Sequence, residues 1–528
     1  MGIFKDNFTL LKKASEPLYK TPKSVQQTIE ILKISEGGIF EVAPGKYSKS
    51  YKFSDVNYTT RSEDEQESFF QKYCKCLNSL DCVFKITVNN KNKDMEALKR
   101  DVMLSYENDG FDKMRKSYNN IIEEKIMEGR QGIEQERYIT ITIERKNFEE
   151  AKAQFTTIEN SMFKSFSELG SRLIPLTGDE RLKVLHDYYR LGREEEFDFC
   201  IRDRKKTGAD FRNDICNSKL KFYQDYYEDE SKVCRAIYIK KYPTYLSDRF
   251  FTELTFFPIH SITSVDVVPV PKDMTMRILQ KKYLGIESDI IKQQQTRNKN
   301  NDFSSEISYT TRRQKAEIED IMNNVRENDE SLFFVGVTMV VMADTLEELD
   351  SICESIDSIA RGAGCSIDIC QYKQREALNT ALPIGVRQIE TMRTMLTQSL
   401  AVLMPFNIQE LCDKGGIYYG VNQVSKNIIV GNRKKLLNGN GFIFGVSGAG
   451  KSFQAKMEMG SVLLSTKDNV ICVDPMNEYE DVVEKYNGTY INISNNTKNY
   501  INPMDMDVWN LDVLDSKGWV RDKCQFML

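Results

Sequence analysis

The chain has 528 residues, too many for one ordinary domain, and its length predicts about three or four compact units. A hydrophobic content of 40% excludes wholesale disorder. The 73 basic and 78 acidic side chains are closely interleaved and give a net charge of -5, which argues against a surface devoted entirely to nucleic acid but leaves room for a local basic groove.

Neither a membrane span nor a zinc site is expected. The longest apolar run, from Leu332 to Ala343, is shorter than the roughly 20 residues of a spanning helix. The N-terminus has no apolar signal core, so we expect a cytoplasmic protein that can lie against a membrane complex. The 12 cysteines include no C-x-x-C pair, and there are only two histidines. Cysteines in apolar runs, such as Cys472, are expected in the core.

Residues 1–170 are predicted to form an α+β region. Alternating, glycine-punctuated sequence indicates strands near residues 37–53, and CVFKITVNN and ERYITITIER indicate two more. Helices are expected at 95–128, as one long charged helix, and at 147–170. An earlier helix is indicated by apolar residues at intervals of three and four: Phe69, Tyr73, Cys76 and Leu77.

Residues 171–400 are predicted to form a second α+β region with a ferredoxin-like element and a helical insert. His186 lies on an amphipathic helix, where a packed or surface histidine is favoured over a proton carrier. The strand SITSVDVVPV precedes a helix near 274–284, and the polar stretch KQQQTRNKNNDFSSE is expected to be a solvated loop before a further charged helix. The strand LFFVGVTMVVM then leads into a helix capped by Thr345 and Glu348, and SIDICQY follows as a strand. We expect this region to bind a partner.

The clearest motif is G-x-x-x-x-G-K-S at residues 445–452, between an apolar segment at 441–444 that is expected to be a strand and a predicted helix. Glycines let backbone N–H groups approach a triphosphate closely, and the helix start offers further N–H groups to it. Lys451 would reach the β- and γ-phosphates and Ser452 would bind Mg²⁺. The predicted ATP-binding residues are Gly445, Val446, Ser447, Gly448, Ala449, Gly450, Lys451, Ser452 and Phe453.

Two carboxylates follow the next apolar segment. Residues 469–474 are expected to form a buried parallel strand, which places Asp474 and Glu478 at or beyond its carboxyl end, where α/β sheets bind ligands. Glu478 is a candidate catalytic residue that polarises the attacking water, and Asp474 is a candidate nucleotide-site residue. The alternative is that either residue caps the following helix. No later apolar strand ending in an acid is recognisable, so we expect the chain to be a fragment or a truncated product.

Several segments resemble the TraE-type ATPases of conjugative type IV secretion, in the version carried by Gram-positive conjugative elements. The likeness covers most of the chain, and the segments that carry it are TPKSVQQTIEI, GKYSKSYKFSDVNYTTRSED, ALNTALPIGVRQIETMRTMLTQSLAVLMPF, GGIYYGVNQVSKNIIVGNRKKLLNGN, NGNGFIFGVSGAGKSFQAKMEM, ICVDPMNEYEDVV and YINPMDM. The family motif D-P-E-x-E-Y falls on residues 474–479, where Met476 replaces its first glutamate. The family's later Walker B strand, glutamine motif and arginine finger have no counterpart in this sequence.

The resemblance implies an α/β protein in which an N-terminal α+β docking region precedes the first part of a RecA-like P-loop NTPase domain at 401–528. It also implies ATP and Mg²⁺ as cofactors, an essential Lys451, and a hexamer peripheral to the cytoplasmic face of the membrane. Its partners would be membrane subunits and the coupling protein of the apparatus. The sequence leaves two alternatives open: a DNA-translocating ATPase of the FtsK/HerA type, and an assembly subunit that binds nucleotide without hydrolysing it.

Overall fold

The computed structural model describes residues 22, 24–92, 95–128, 133–203, 208, 210–216, 219–230, 232–243, 245–257, 259–299, 309–327, 330–423, 426–494 and 497. The chain divides into two compact units. Unit 1 consists of Met1–Leu98, Ile126–Leu411 and Val421–Asn427. Unit 2 consists of Lys99–Lys125, Cys412–Gly420 and Ile428–Leu528. The predicted three-part division at residues 170 and 400 stays a prediction.

Unit 1 is built on one large sheet. Within the described residues, twelve strands form it: β1 Ile39–Ala43, β2 Lys46–Phe53, β3 Val83–Asn92, β4 Ile133–Glu144, β5 Leu173–Pro175, β6 Leu220–Phe222, β7 Tyr227–Asp229, β8 Lys232–Lys241, β9 Ser261–Val270, β10 Leu332–Ala343, β11 Ser366–Ile369 and β12 Arg393–Leu396. The main order is β1-β2-β4-β3-β9-β10-β8-β7-β6, and β5, β11 and β12 pair with β2, β8 and β10. These pairings are antiparallel.

Fourteen helices follow one another along the described part of the chain. They are α1 Glu63–Asn78, α2 Met95–Val102, α3 Asp112–Glu128, α4 Phe148–Leu169, α5 Gly178–Tyr189, α6 Arg212–Ile215, α7 Arg249–Thr255, α8 Lys272–Lys299, α9 Tyr309–Glu327, α10 Leu346–Gly362, α11 Gln374–Ala381, α12 Thr397–Ala401, α13 Lys451–Ser465 and α14 Glu480–Lys485. Short 3-10 turns occur at Val25–Thr28, Glu194–Glu196 and Arg433–Lys435. Two strands of unit 2, β13 Ile417–Val421 and β14 Ile428–Gly431, form a separate sheet.

Period-two alternation along β3 and β4 gives these two central strands one apolar face. Phe84, Ile86 and Val88 on β3 are buried on that face, against α1, α4 and α10, together with three isoleucines of β4: Ile139, Ile141 and Ile143. The four residues predicted to form the inner face of α1 are all buried there. Asn147 accepts a hydrogen bond from the Glu150 N–H and Gly170 adopts a left-handed conformation, so both predicted ends of α4 are confirmed.

The opposite face of the same strands is polar and is covered by residues 380–387. Ser48 donates a hydrogen bond to the Ile384 carbonyl at 2.7 Å, and Thr142 donates one to the Gly385 carbonyl at 3.1 Å. The Lys85 ammonium is fully buried and donates to the Val386 carbonyl at 2.8 Å. This irregular segment therefore obtains from side chains the hydrogen bonds that a buried backbone requires.

The charge of Lys85 is balanced inside the protein. Burial lowers the pKa of Lys85, and Asp266, whose carboxylate lies 3.4 Å from the ammonium, acts in the opposite direction. Arg387 lies 3.0 Å from the same carboxylate and comes from the covering segment. Because removing one member of such a group leaves a buried charge uncompensated, the cluster holds residues 380–387 against the sheet.

Two sequence predictions are corrected in these units. The single helix expected at 95–128 is two helices, α2 and α3, and the break contains Asn108 and Gly110 at φ 58° and 91°. Helix α8 continues through the polar KQQQTRNK stretch to Lys299, because Gln, Lys and Arg are good helix formers. The rest of that predicted loop, 300–306, lies outside the described residues. The amphipathic helix containing His186 ends at Tyr189, and His186 is buried, which matches the packed alternative of the two that were predicted.

No helix in the part of the chain that the structure describes combines the length and apolarity required to cross a membrane. The cysteines described are free thiols, and burial raises the pKa of Cys76 and of Cys82 to about 12. These two groups are therefore poor nucleophiles, in line with the structural role predicted for them.

Gly385 provides a stability test of the covering segment. Its φ is +86°, and a Cβ at this position would lie 2.5 Å from Thr142 Oγ1. Gly170 has a similar φ of +78° but open space around it. We expect Gly170→Ala to cost about 1 kcal/mol of unfolding free energy, from the backbone conformation alone. Gly385→Ala should cost about 1–3 kcal/mol more, from steric overlap. Urea unfolding of both variants measures this difference, and equal losses would contradict the close packing.

His260 gives a second test, based on pH. Burial, and then the charges of Lys232 and Lys91, lower the pKa of His260 from 6.5 to about 4. The folded protein thus keeps this histidine neutral where the unfolded chain protonates it, so the free energy of unfolding falls as the pH drops from about 6.5 to about 4. Replacement by Phe should remove about 2 kcal/mol of the stability difference between pH 7.5 and pH 5. Denaturant unfolding at the two pH values measures it; an unchanged difference would show that His260 does not titrate in this way.

Candidate functional site

The loop at residues 445–452 has the backbone that its glycines were predicted to allow. Gly448 and Gly450 adopt φ values of 81° and 88°, a region that other residues rarely occupy. Helix α13 begins at Lys451 directly after Gly450, which is its N-cap. The predicted transition from loop to helix is therefore present in the structure.

The Lys451 side chain folds back over this loop. Its ammonium donates hydrogen bonds to the carbonyl oxygens of Gly445 and Val446, at 2.9 and 3.1 Å. A Cβ on Gly445 would lie 3.2 Å from Lys451 Cγ and 3.2 Å from Ala449 Cβ, so a larger residue would crowd the turn. The loop and the lysine together form a compact hook, whose cation lies at the exposed start of α13.

The start of α13 has the properties of an anion site. The N–H groups of the first helical turn have no acceptor within the helix, and the helix dipole adds a partial positive charge at the same end. Lys451 contributes a full charge there, and Ser452 places a hydroxyl in the first turn. A polyphosphate fits this set of donors. Phe453, the last of the predicted ATP-binding residues, is 68% exposed.

Magnesium would be held at Ser452 together with phosphate oxygens, a common arrangement for this ion. Across the described residues, no group of three or more His, Cys, Asp or Glu side chains is arranged to hold a metal ion. At such a site the chain would supply the Ser452 hydroxyl, and the phosphates of the nucleotide would supply charged ligands.

Helix α13 is supported by a segment that lies more than 300 residues earlier in the sequence. Residues 99–125 belong to unit 2, and the Tyr118 hydroxyl accepts a hydrogen bond from the Tyr418 N–H at 3.3 Å. Burial raises the pKa of Tyr118, and an interaction with the Ser461 side chain of α13 acts in the opposite direction. On the same helix, a Cβ at Gly460 would lie 2.7 Å from the Tyr486 hydroxyl. Sequence analysis missed this support, because nothing local in residues 99–125 points to a partner in α13.

The two candidate carboxylates have different surroundings. The carboxylate oxygens of Asp474 accept hydrogen bonds from the backbone N–H groups of Met476 and Tyr479, at 3.2 and 3.0 Å. Tyr479 is the N-cap residue of α14, so Asp474 stabilises the turn that enters this helix. Glu478 lies on the same turn with an exposed side chain. The arrangement of Asp474 corresponds to the capping alternative.

The two strands predicted around the loop are not present in the described residues. Residues 441–444 and 469–474 form no strand pairing in the structure. Phe442 and Phe444 are 84% and 87% exposed, and Cys472, expected in the core, is exposed as well. An apolar pattern identifies residues that favour burial, but a strand also needs neighbours that supply hydrogen bonds, and those neighbours are not encoded locally.

Comparison with known proteins adds one match. Residues 432–519 match the family model described as the central domain of helicase HerA. A search of curated proteins finds no match to the chain. The matched segment contains the whole loop, α13, Asp474 and Glu478. This segment is therefore similar to the HerA central domain, which is consistent with a P-loop ATPase of the HerA/FtsK-like superfamily and suggests ATP, with Mg²⁺, as its ligand.

Proposed function

We propose that this protein is the ATP-binding subunit of a conjugative type IV secretion apparatus, coupling ATP hydrolysis to DNA or protein transfer or to assembly. The observation that carries the proposal is the hook of residues 445–452, in which the Lys451 ammonium lies over the loop at the exposed start of α13. The family match supports the ATPase, and the resemblance of the upstream sequence to TraE-type proteins supports its place in secretion.

ATP binding follows from charge and geometry. The loop amides and the first-turn amides of α13 would surround the phosphates, and Lys451 would exchange its two carbonyl partners for β- and γ-phosphate oxygens. That exchange replaces two neutral acceptors with charged ones, which form stronger hydrogen bonds with an ammonium group. Ser452 would orient Mg²⁺ against the same phosphates.

Hydrolysis needs a carboxylate that polarises water, and we assign this role to Glu478. Asp474 accepts hydrogen bonds from two backbone N–H groups of its own turn, whereas the Glu478 side chain is exposed on the same turn. Asp474 then contributes to the site by fixing the turn that presents Glu478. A RecA-like arrangement of this domain is part of the same proposal.

The proposal includes partners. Unit 1, with its large sheet, would dock on the membrane subunits and the coupling protein, and unit 2 would assemble into a homohexamer at the cytoplasmic face of the membrane. The mixed charge of the chain, 73 basic against 78 acidic residues, supports protein contacts more than extensive nucleic-acid contacts.

A second candidate is a DNA-translocating ATPase of the HerA/FtsK type, which the description of the matched family model favours. Both candidates share the nucleotide site and differ in whether the chain binds DNA directly. A third, non-catalytic assembly subunit would bind nucleotide without turnover, because Glu478 alone stands in for the two glutamates of the family motif.

Replacement of Lys451 tests the nucleotide site. Lys451→Ala should weaken Mg-ATP binding about 10- to 100-fold, since hydrogen bonds to charged groups contribute about 1.5–3 kcal/mol. Lys467→Ala is the matched control, because it removes an exposed lysine just beyond the end of α13. Isothermal titration or a fluorescent ATP analogue gives the Kd. Equal affinities for the two variants and the wild-type chain would refute the assignment of the site.

The salt dependence of DNA binding separates the two motor candidates. A secretion ATPase that acts through partner proteins should show no sequence-independent DNA binding at physiological salt. A DNA translocase should bind duplex DNA with an affinity that falls steeply with salt, as counterions are released. Fluorescence anisotropy with a random duplex at about 50 and 200 mM salt measures this. A steep salt dependence would favour the HerA/FtsK-type reading over the secretion ATPase.

A further inference from the structure

One arginine outside the phosphate-binding motif touches both sides of the loop. Arg433 lies in the 3-10 turn Arg433–Lys435, just after β14. Its guanidinium lies 2.8 Å from the Glu458 carboxylate of α13, and its Nε donates a hydrogen bond to the Tyr419 hydroxyl at 3.0 Å. Tyr419 in turn donates to the same Glu458 oxygen at 3.0 Å. The three side chains thus contact one another in a closed triangle, in which the Glu458 carboxylate balances the charge of the arginine.

Glu458 connects this triangle to the helix that carries Lys451. Glu458 is seven residues after Lys451, which is two helical turns along the same helix face, about 10 Å away. Holding Glu458 therefore fixes the rotation of α13 about its own axis. That rotation decides whether the Lys451 side chain points toward the loop carbonyls or away from them.

The same guanidinium also meets the segment that enters the loop. A Cβ on Gly441 would lie 2.7 Å from one terminal nitrogen of Arg433 and 3.0 Å from its central carbon. The backbone of Gly441 therefore passes against the flat guanidinium, four residues before the loop begins. Arg433 thus contacts the chain before the loop and, through Glu458, the helix after it.

Its neighbours in the turn behave differently. Lys434 pairs with Asp468 at 2.5 Å and Lys435 with Asp413 at 3.5 Å, and the side chains of both lysines are more than half exposed. The Arg433 side chain is 39% exposed, and that of Glu458 only 17%. The planar guanidinium of an arginine can make these contacts at the same time, whereas the ammonium of a lysine is less suited to do so. The basic run therefore contains one inward-facing residue and two surface residues.

We infer that Arg433 is a positioning residue for the phosphate-binding loop: it clamps the entering segment at Gly441 and the outgoing helix at Glu458, so that Lys451 is presented to the nucleotide. This inference rests on the proposed ATP site and extends it to a residue that does not touch the nucleotide. Sequence analysis had no signal for it, because an arginine within a basic run normally indicates a solvated surface.

Substitution of Arg433 gives the first test. Arg433→Gln should weaken Mg-ATP binding about tenfold, the loss expected for one charge-assisted contact. Arg433→Lys should restore part of the affinity, since it keeps a positive charge beside Glu458 but lacks the planar guanidinium. Lys434→Gln is the matched control and should leave the Kd within about twofold. Circular-dichroism melting of the nucleotide-free variants shows whether Arg433→Gln and Lys434→Gln are equally folded.

A second pair of variants leaves Arg433 in place. Gly441→Ala should displace the guanidinium and reproduce the loss of affinity seen in Arg433→Gln. Gly439→Ala should have little effect, because the atom nearest to its Cβ would be 3.8 Å away. Agreement between Gly441→Ala and Arg433→Gln, with both controls unchanged, supports the clamp. Normal affinity in both test variants overturns it.

Hydrogen exchange separates failure of the clamp from failure of the ATP site. In the nucleotide-free protein, Arg433→Gln should speed amide exchange in residues 441–452 relative to the wild type and to Lys434→Gln. This measurement does not require ATP to bind. If Lys451→Ala leaves ATP binding unchanged, the proposed site fails, and the exchange result still decides whether Arg433 orders the loop. Unchanged exchange overturns the clamp whatever the ATP result.

Discussion

The proposed nucleotide-binding unit depends on one ammonium group that is held above a turn by carbonyl oxygens. Lys451 lies at the exposed start of α13 and donates to the Gly445 and Val446 carbonyls, so the loop is folded around the lysine. Carbonyl oxygens are weaker partners for a cation than phosphate oxygens. The contacts therefore organise the loop and can be exchanged for phosphate contacts without breaking a strong ion pair.

Parts of the chain that are distant in sequence hold the loop in this shape. Tyr118, from residues 99–125, supports α13 at Ser461, and Arg433 supports it at Glu458. Unit 1 shows the same principle on a larger scale, where Ser48, Thr142 and Lys85 hold an irregular backbone segment against the polar face of the sheet. In both units, side chains from regular elements satisfy and position a segment that has no regular structure.

Sequence patterns predicted the features that depend on local chemistry. The left-handed glycines of the loop, the start of α13 and the caps of α4 all follow from a few adjacent residues. Features that depend on distant partners were missed or wrong. Residues 441–444 and 469–474 have apolar strand patterns but no strand partners in the described part of the chain. The contribution of residues 99–125 to unit 2 and the inward orientation of Arg433 depend on tertiary contacts, which composition and periodicity do not report.

The most direct test of the central claim is an experimental structure of the protein with Mg²⁺ and a non-hydrolysable ATP analogue. The account predicts that the Lys451 ammonium leaves the Gly445 and Val446 carbonyls for the β- and γ-phosphates, with Ser452 bound to the metal ion. An analogue bound elsewhere, or bound at the loop while Lys451 remains on its two carbonyl partners, would contradict it.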